Sequence, residues 1–212
     1  MLNNPTIKLS DLSAYSHGTG GGEEENKPEK PTLDKMKKLR QIFEQSYTYV
    51  QSVRAVILVL VHNHPHVLLL KKKSSLSNST IDMILPGGKL EPGEDDETGI
   101  QRLLEKKMKI VDNPKSYEIS ELLGCWYRPQ FTEQMLPYCP VHITTPKEIE
   151  RWYLVLLPEK GMLGISPKYD LNAVPFYDLQ DSSKEFSKQI SSVPLLVSRF
   201  NIIPRTIEDQ EE

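Results

Sequence analysis

The sequence from Leu85 to Ile110 decides the fold: it reads LPGGKLEPGEDDETGIQRLLEKKMKI. The PGG and PGE triplets are typical of turns, and the helix dipole favours the acidic DDE run in a first helical turn. Four apolar residues then follow at the spacing of one helix face, namely Ile100, Leu103, Leu104 and Met108. The stretch therefore predicts a loop that leads into an amphipathic helix.

The spacing of this stretch resembles the Nudix box. In that pattern a Gly is followed after five residues by a Glu, and after seven more by Arg-Glu-apolar-x-Glu-Glu-x-Gly-apolar. Five positions match it, namely Gly88, Glu94, Arg102, Leu104 and Ile110. The resemblance implies an α/β Nudix domain, whose members hydrolyse a diphosphate linked to another moiety with the help of Mg²⁺.

The acids that hold the metal in a Nudix box are missing here. Their positions carry Leu103, Lys106 and Lys107, and Lys109 replaces the final Gly. Mg²⁺ takes oxygen ligands, whereas an ammonium group cannot ligate it and repels it. Glu105 lies one position early, about 100° round the helix, so it does not substitute. The sequence therefore predicts no catalytic residue, no metal ligand and no cofactor.

Composition limits the classes of function. The 212 residues suit one domain with tails, and a net charge of −3 means that any contact with nucleic acid must be local. Cys125 and Cys139 have neither disulfide nor zinc spacing, so we expect reduced thiols. The N-terminus lacks the apolar core of a signal peptide, and the longest apolar run, Ala55–Val61, is too short to span a bilayer. We expect no membrane association.

We expect three parts along the chain: an N-terminal extension over residues 1–31 that is partly disordered, a Nudix domain over 32–203, and an acidic tail over 204–212. Residues 18–31 are rich in Gly, Glu and Pro, while PTIKLSDLSAY before them has apolar residues that could dock on the domain. Thr32–Gln45 predicts a helix. Its basic face is typical of a solvated surface, although it could also bind a partner.

Other segments predict strands and helical pieces. Val53–Val61 is apolar throughout, as buried central strands are, and an HNHP turn leads to a second strand over His66–Leu70. The alternating histidines of this turn could ligate a metal, but exposed turn histidines are commoner. Further predicted strands cover Glu118–Arg128 and Arg151–Pro158. Helical pieces are predicted at Ser183–Ser191 and Pro194–Phe200.

The second half of the chain narrows the resemblance. Its segments are PVHITTPKEIERWYLVLLPEKG, ISPKYDLNAVPFYDL and ISSVPLLVSRFN, preceded by CWYRPQFTEQMLPYCP, HPHVLLL and the N-terminal TIKLSDLSAYSHG. Together they resemble the small Nudix subunit of pre-mRNA cleavage factor Im over nearly the whole chain. That family implies an α/β/α sandwich with a mixed sheet, a nuclear homodimer and no hydrolysis. It also implies a larger partner subunit with an RNA-recognition-motif domain, and single-stranded pre-mRNA with UGUA elements as ligand.

The resemblance also implies which residues contact RNA. Lys35 aligns with an Arg of the N-terminal helix, Arg54 with a Glu of the first core strand, and Phe186 with a late Tyr. Leu85 matches the family, but Asp82 and Met83 replace a pair of Phe residues that stack on bases. Because each such stack is worth about 1–3 kcal/mol, we expect weaker discrimination for UGUA than the family norm. The expected RNA contacts are Lys35, Arg54, Met83, Leu85 and Phe186.

Three other functions fit the sequence less well. The first is an active Nudix hydrolase of dinucleoside polyphosphates or capped ends, which the lysines in the box disfavour. The second is a binder of free nucleotides without RNA. The third is a dimeric scaffold for the larger subunit that makes no specific RNA contact. Fold analogy alone does not choose among them, because one fold hosts many functions.

Overall fold

The structure is a computed structural model that describes residues 4–19, 32–46, 48–73, 83–110, 117–181 and 186–205, with side chains in the first helix from residue 36 onward. Short 3-10 turns lie at Leu12–Ala14 and Ile190–Ser192. In chain order the described elements are β1 (Thr6–Leu9), β2 (Tyr15–Thr19), α1 (Thr32–Ser46), β3 (Val50–Val61), β4 (His64–Lys72), β5 (Met83–Ile84), β6 (Gly87–Lys89), α2 (Asp96–Lys107), β7 (Met108–Ile110), β8 (Glu118–Arg128), β9 (Glu148–Leu156), β10 (Gly161–Ile165), β11 (Tyr169–Pro175), α3 (Phe176–Asp181), α4 (Val193–Val197) and β12 (Asn201–Pro204).

The main sheet is mixed and runs in the order β11-β4-β3-β9-β8, with β5 and β6 paired to its middle strands. Strand β3 lies at its centre, parallel to β9 and antiparallel to β4. Its sequence is apolar at consecutive positions because both of its faces are covered. The predicted central strand is confirmed, although pairing with β9 extends it back to Val50.

Two apolar cores lie on opposite faces of this sheet. On what we call the box side, α2 packs against β3; on the far side, α3, α4 and the C-terminal segment cover it. The box-side core includes Val53, Ala55, Ile57, Ile100, Leu103 and Leu104. The far-side core includes Val56, Leu58, Trp126, Trp152, Phe186, Val193 and Phe200. The expected α/β/α sandwich with a mixed sheet is confirmed.

The N-terminal segment is built into the fold. Strand β1 pairs in parallel with β12, and β2 pairs in parallel with β10, which also pairs with β7. Ile7 and Leu9 are buried in the far-side core, and Tyr15 in the box-side core. The apolar residues of this segment indicated that it could dock on the domain, and the structure shows it docked there. The Gly-rich stretch over residues 20–31 and the tail from residue 206 lie outside the described residues.

The β3–β4 hairpin turns at His62 and Asn63, which both have positive φ, at 50° and 63°. A two-residue turn of this kind matches the twist of paired strands. The turn was expected, but β4 starts earlier and ends later than His66–Leu70 because its pairing continues to Lys72 with β11. The described residues contain no group of three or more His, Cys, Asp or Glu side chains placed to hold a metal ion.

The predicted boundaries of β9 and of the two late helical pieces were wrong. Strand β9 begins at Glu148 and not at Arg151, because Glu148 continues the pairing with Val50 and Arg128. Of the helix predicted over Ser183–Ser191, the described residues 186–191 contain only the start of a 3-10 turn at Ile190–Ser192, and α4 is limited to Val193–Val197. Residues 183–185 of that prediction lie outside the described residues.

Candidate functional site

The loop before α2 lies tight against β3. Gly87 has a φ of +136°, and a Cβ atom there would lie 2.2 Å from the carbonyl oxygen of Val53. Only glycine fits such a close approach with this backbone conformation. The box spacing thus places the loop backbone, including the Gly87 carbonyl group, beside the end of α2.

A lysine ammonium group stands at an acid position of the box pattern and contacts the loop backbone. Lys107, at one of the missing acid positions, donates from Nζ to the carbonyl oxygen of Gly87 at 2.6 Å. The same Nζ lies 5.7 Å from the centroid of the Tyr169 ring. Lys107 therefore fills the space between the loop backbone and the Tyr169 ring with its ammonium group.

Glu94, the one acid of the box pattern that this chain retains, forms an ion pair with Arg102. Arg102 donates to both oxygens of Glu94, from Nε at 2.6 Å and from Nη2 at 2.7 Å. The Glu91 backbone N–H donates to the same carboxylate at 2.8 Å. The hydrogen bond from Arg102, with that from Glu91, lowers the pKa of Glu94. Glu94 thus fixes the loop to the helix and keeps its charge.

The metal that the fold family implies does not fit this donor set. Of the three acid positions on the helix, one holds the buried Leu103 and two hold lysines, at 106 and 107. Hard divalent cations need several oxygen ligands, and lysine offers none. The described box region positions the loop against the helix, and its two lysines offer no oxygen ligand to a metal.

Two ion pairs on the far side of the sheet join neighbouring strands. Arg54 on β3 donates to Glu150 on β9 at 2.9 Å, and Trp152 Nε1 donates to the same carboxylate at 2.9 Å. Arg54 Nη1 also lies 3.5 Å from the Leu85 carbonyl oxygen. The Arg54 side chain is 21% exposed. Its guanidinium group is thus held in place with part of it open to solvent.

The second ion pair is fully buried. Arg128 on β8 donates to Glu148 at 2.9 Å, and both side chains are 6% exposed. Ser52 Oγ donates to the other Glu148 oxygen at 2.8 Å. Arg128 also donates to the carbonyl oxygen of Thr132. This network ties β3, β8, β9 and the segment after β8 together, because each charged atom has partners from a different element.

The structure brings most of the expected RNA residues to the far side. Leu85 and Phe186 are both part of the far-side core, at 3% and 7% exposed, and Met83 packs against it half-buried. Arg54 reaches the Leu85 carbonyl group from β3. The Lys35 side chain and Asp82 lie outside the described residues. Phe186 packs in the core here and presents little of its ring to solvent, so its stacking role stays a prediction.

Sequence reasoning missed a group of four residues at the edge of this surface. Lys147 Nζ lies 3.8 Å from the Phe43 ring centroid and 5.6 Å from that of Phe131. Arg40 lies over Phe131 at 5.0 Å, and the two rings meet edge to face at 5.8 Å. We call these residues the aromatic–cation cluster. Phe43 lies on α1 and Phe131 follows β8, so the two rings are too distant in sequence for a local pattern to signal the contact.

A second missed network holds the start of α2. Arg151 donates to Asp96 at 2.5 Å through both Nε and Nη2, and the Tyr153 hydroxyl group donates to Asp96 at 2.6 Å. Burial alone would raise the pKa of Asp96, but these hydrogen bonds and the Arg151 charge outweigh it and lower that pKa. Burial, with the Asp96 contact, raises the pKa of Tyr153 to about 12. The acidic first turn is therefore an anchor to β9.

The chain matches a known protein family over most of its length. Residues 5–200 match the model of the NUDIX_2 family, described as nucleotide hydrolase. The solved structure of a MutT protein from Methanosarcina mazei Go1 aligns with a TM-score of 0.41 and 16% identity, over 78% of this chain and 97% of that one. The match to the family therefore covers the fold from β1 to α4.

Two relatives are similar over almost their full length. The cleavage and polyadenylation specificity factor subunit 5 of Dictyostelium discoideum is 34% identical, over 93% of this chain and 98% of that protein. The pre-mRNA cleavage factor Im 25 kDa subunit 2 of Arabidopsis thaliana is 35% identical, over 95% of this chain and 97% of that protein. The chain belongs to this family of cleavage factor Im small subunits, within the Nudix fold class.

No helix of the described residues is long and apolar enough to cross a membrane. Cys125 and Cys139 are free thiols, each half-buried. Burial raises the pKa of the Cys125 thiol, so its reactive thiolate form is disfavoured.

Proposed function

We propose that this chain is a non-catalytic subunit of the nuclear machinery that cleaves and polyadenylates pre-mRNA, and that it binds UGUA-type single-stranded RNA upstream of poly(A) sites. One observation carries the proposal: the Lys107 ammonium group lies 2.6 Å from the Gly87 carbonyl oxygen, in a chain whose relatives are named as cleavage factor subunits. A fixed ammonium there opposes a metal and so opposes hydrolysis.

The far side is the proposed RNA surface. Single-stranded RNA is recognised by hydrogen bonds to base edges and by stacking of exposed bases. Arg54 offers donors held by Glu150, and the partly buried Met83 offers an apolar edge with the Leu85 backbone beside it. Lys35 on α1 and Phe186 complete the proposed set. Met83 recovers only part of an aromatic stack, so binding is weaker than with a ring at that position.

The proposed partners are a second copy of this chain and a larger subunit with an RNA-recognition-motif domain. The segment between β8 and β9 supports a contact surface, because Tyr138 is 59% exposed and Val141 is fully exposed. Exposed apolar side chains in one segment favour a protein interface. A symmetric dimer is also the commonest oligomer. Light scattering at micromolar concentration should give the mass of a dimer, and a monomer throughout would contradict this part.

The alternative is an active Nudix hydrolase of dinucleoside polyphosphates or related nucleotides. It is disfavoured because Arg102 occupies both Glu94 oxygens. It would need a metal site from side chains that the described box lacks.

Fluorescence anisotropy with a labelled UGUA tetranucleotide and a scrambled one tests the RNA proposal. We expect tighter binding of UGUA, and weaker binding of it after Met83→Ala because the apolar edge is lost. Met162→Ala is the matched control, since that partly exposed methionine lies on β10, outside the main sheet. Equal affinity for both RNAs, or equal effects of the two substitutions, would contradict the proposed surface. Binding only in the presence of the larger subunit would favour the scaffold alternative.

A further inference from the structure

The aromatic–cation cluster joins two distant parts of the chain. Arg40 and Phe43 come from α1, whereas Phe131 follows β8 and Lys147 precedes β9. Both rings are half-buried and Arg40 is exposed. Within the described residues, no carboxylate forms an ion pair with Arg40 or Lys147. Among the described residues, the cluster therefore holds two positive charges over two aromatic rings with no carboxylate paired to them.

This cluster lies next to the proposed RNA surface. The Lys147 backbone N–H donates to Arg128 O at 2.7 Å, and its carbonyl oxygen accepts from the Val50 N–H at 3.0 Å. Glu148 binds Ser52 on β3, and two residues further along β3 is Arg54. Two residues of a strand advance about 7 Å, so the cluster lies just beyond the end of the face that carries Arg54.

The chemistry of the cluster suits a nucleotide. Proteins that bind single strands combine positive charge for the phosphates with planar groups on which bases stack. An arginine guanidinium plane is one such group, and Arg40 already has one face over the Phe131 ring. Arg40 is exposed, and Lys147 contacts the same Phe131 ring, so a base on Arg40 would have an ammonium group near its phosphate. If the cluster bound a protein instead, the partner would supply carboxylates, and substitution of Arg40 would leave RNA binding unchanged.

We propose that the aromatic–cation cluster binds a nucleotide that flanks the UGUA core, with its base on Arg40 and its phosphate near Lys147. This inference rests on the proposed function, because it extends the same RNA path beyond Arg54.

The test compares three labelled RNAs by fluorescence anisotropy: UGUA alone, UGUA with a 5′ flank and UGUA with a 3′ flank. We expect one flank to tighten binding to the full chain. Arg40→Gln should reverse that gain, roughly fivefold or more if one stack is lost, and leave binding of bare UGUA unchanged. Lys38→Gln is the matched control: it removes the same charge from the same helix about 200° away. Lys147→Gln should lower the salt dependence on flanked RNA by about one phosphate contact.

The outcomes separate the two proposals. If UGUA binds but neither flank helps, or if Arg40→Gln matches Lys38→Gln, the cluster has no role in RNA binding and the proposed function stands. If Arg40→Gln weakens bare UGUA equally and lowers the melting temperature, the cluster only anchors α1, and the inference is overturned. Arg40→Lys keeps the charge and loses the stacking plane, so it should also lose the gain in affinity from the flank. If the wild-type chain binds no RNA, both proposals fail together.

Discussion

The two faces of the central sheet use their charged residues differently. On the box side, Glu94 pairs with Arg102 eight residues away, and Lys107 binds the loop backbone, so the pattern of a metal site now holds a loop to its helix. On the far side, Arg128 and Glu148 are buried and join separate strands. The two faces thus differ: the charged residues of the box side hold a loop to its helix, whereas those of the far side join strands in the interior. Each prediction below tests one side of this difference.

The buried pair on the far side should have the largest effect. Replacing Arg128 by Ala leaves Glu148 charged and buried without its main partner, which costs about 3–5 kcal/mol of unfolding free energy. The measurement is urea denaturation at neutral pH. Glu121→Ala is the control, because its pair with Arg199 is about half exposed and should contribute about 1 kcal/mol or less. Similar losses in both variants would contradict the rigidity assigned to the far side.

The anchor of α2 should have the next largest effect, with a pH dependence. Asp96→Asn removes charge-assisted hydrogen bonds from Arg151 and Tyr153, each typically worth about 1.5–3 kcal/mol. Because the pKa of Asp96 is lowered in the folded state, the unfolded chain binds more protons than the folded chain at acidic pH. The stabilisation is therefore full above the ordinary aspartate value of 3.8 and lost as pH falls below it.

Denaturation of Asp96→Asn and wild type at pH 7 and pH 3 measures this difference. Glu97→Gln is the control, since that exposed acid lies in the same helical turn. A difference between wild type and Asp96→Asn that grows on acidification would show the sign to be wrong.

Restoring aromatic residues on the far side should strengthen RNA binding. Replacing Asp82 and Met83 together by Phe should tighten UGUA binding by about 1–3 kcal/mol if one base stack is recovered. Phe186→Ala should weaken it, and its melting temperature must be measured as well because Phe186 is a core residue. Tight UGUA binding by the wild type, unchanged in the double variant, would show that the loop before Leu85 is aligned wrongly.

The sequence predicted the parts of this molecule that depend on local pattern. The apolar run of β3 and the spacing of the box gave the central strand, the loop and α2, because each pattern is complete within a short segment. The clusters at Arg128 and Phe131 could not be predicted, since they join residues that only the folded sheet brings together. The family resemblance identified Phe186 as an RNA contact but could not predict its burial, because burial depends on how residues 186–205 pack against the sheet.

Mg²⁺ should have the smallest effect of all on the wild-type protein. A ligand that binds only the folded state raises the melting temperature, and one that does not bind leaves it unchanged. We expect the same melting temperature in EDTA and in millimolar Mg²⁺, because Lys107 and Lys106 replace the ligands. The variant Lys106→Glu/Lys107→Glu should gain a Mg²⁺-dependent increase. Stabilisation of the wild type by Mg²⁺ would contradict the account of the box side.

The central claim is that the box side is catalytically inert, and turnover tests it most directly. The full chain is incubated with Mg²⁺ or Mn²⁺ and a panel of dinucleoside polyphosphates, sugar nucleotides and capped RNA, beside the variant Glu94→Gln. We predict no hydrolysis above the metal-only control for either protein. Robust hydrolysis by the wild type that Glu94→Gln abolishes would contradict the claim and establish the chain as an active hydrolase.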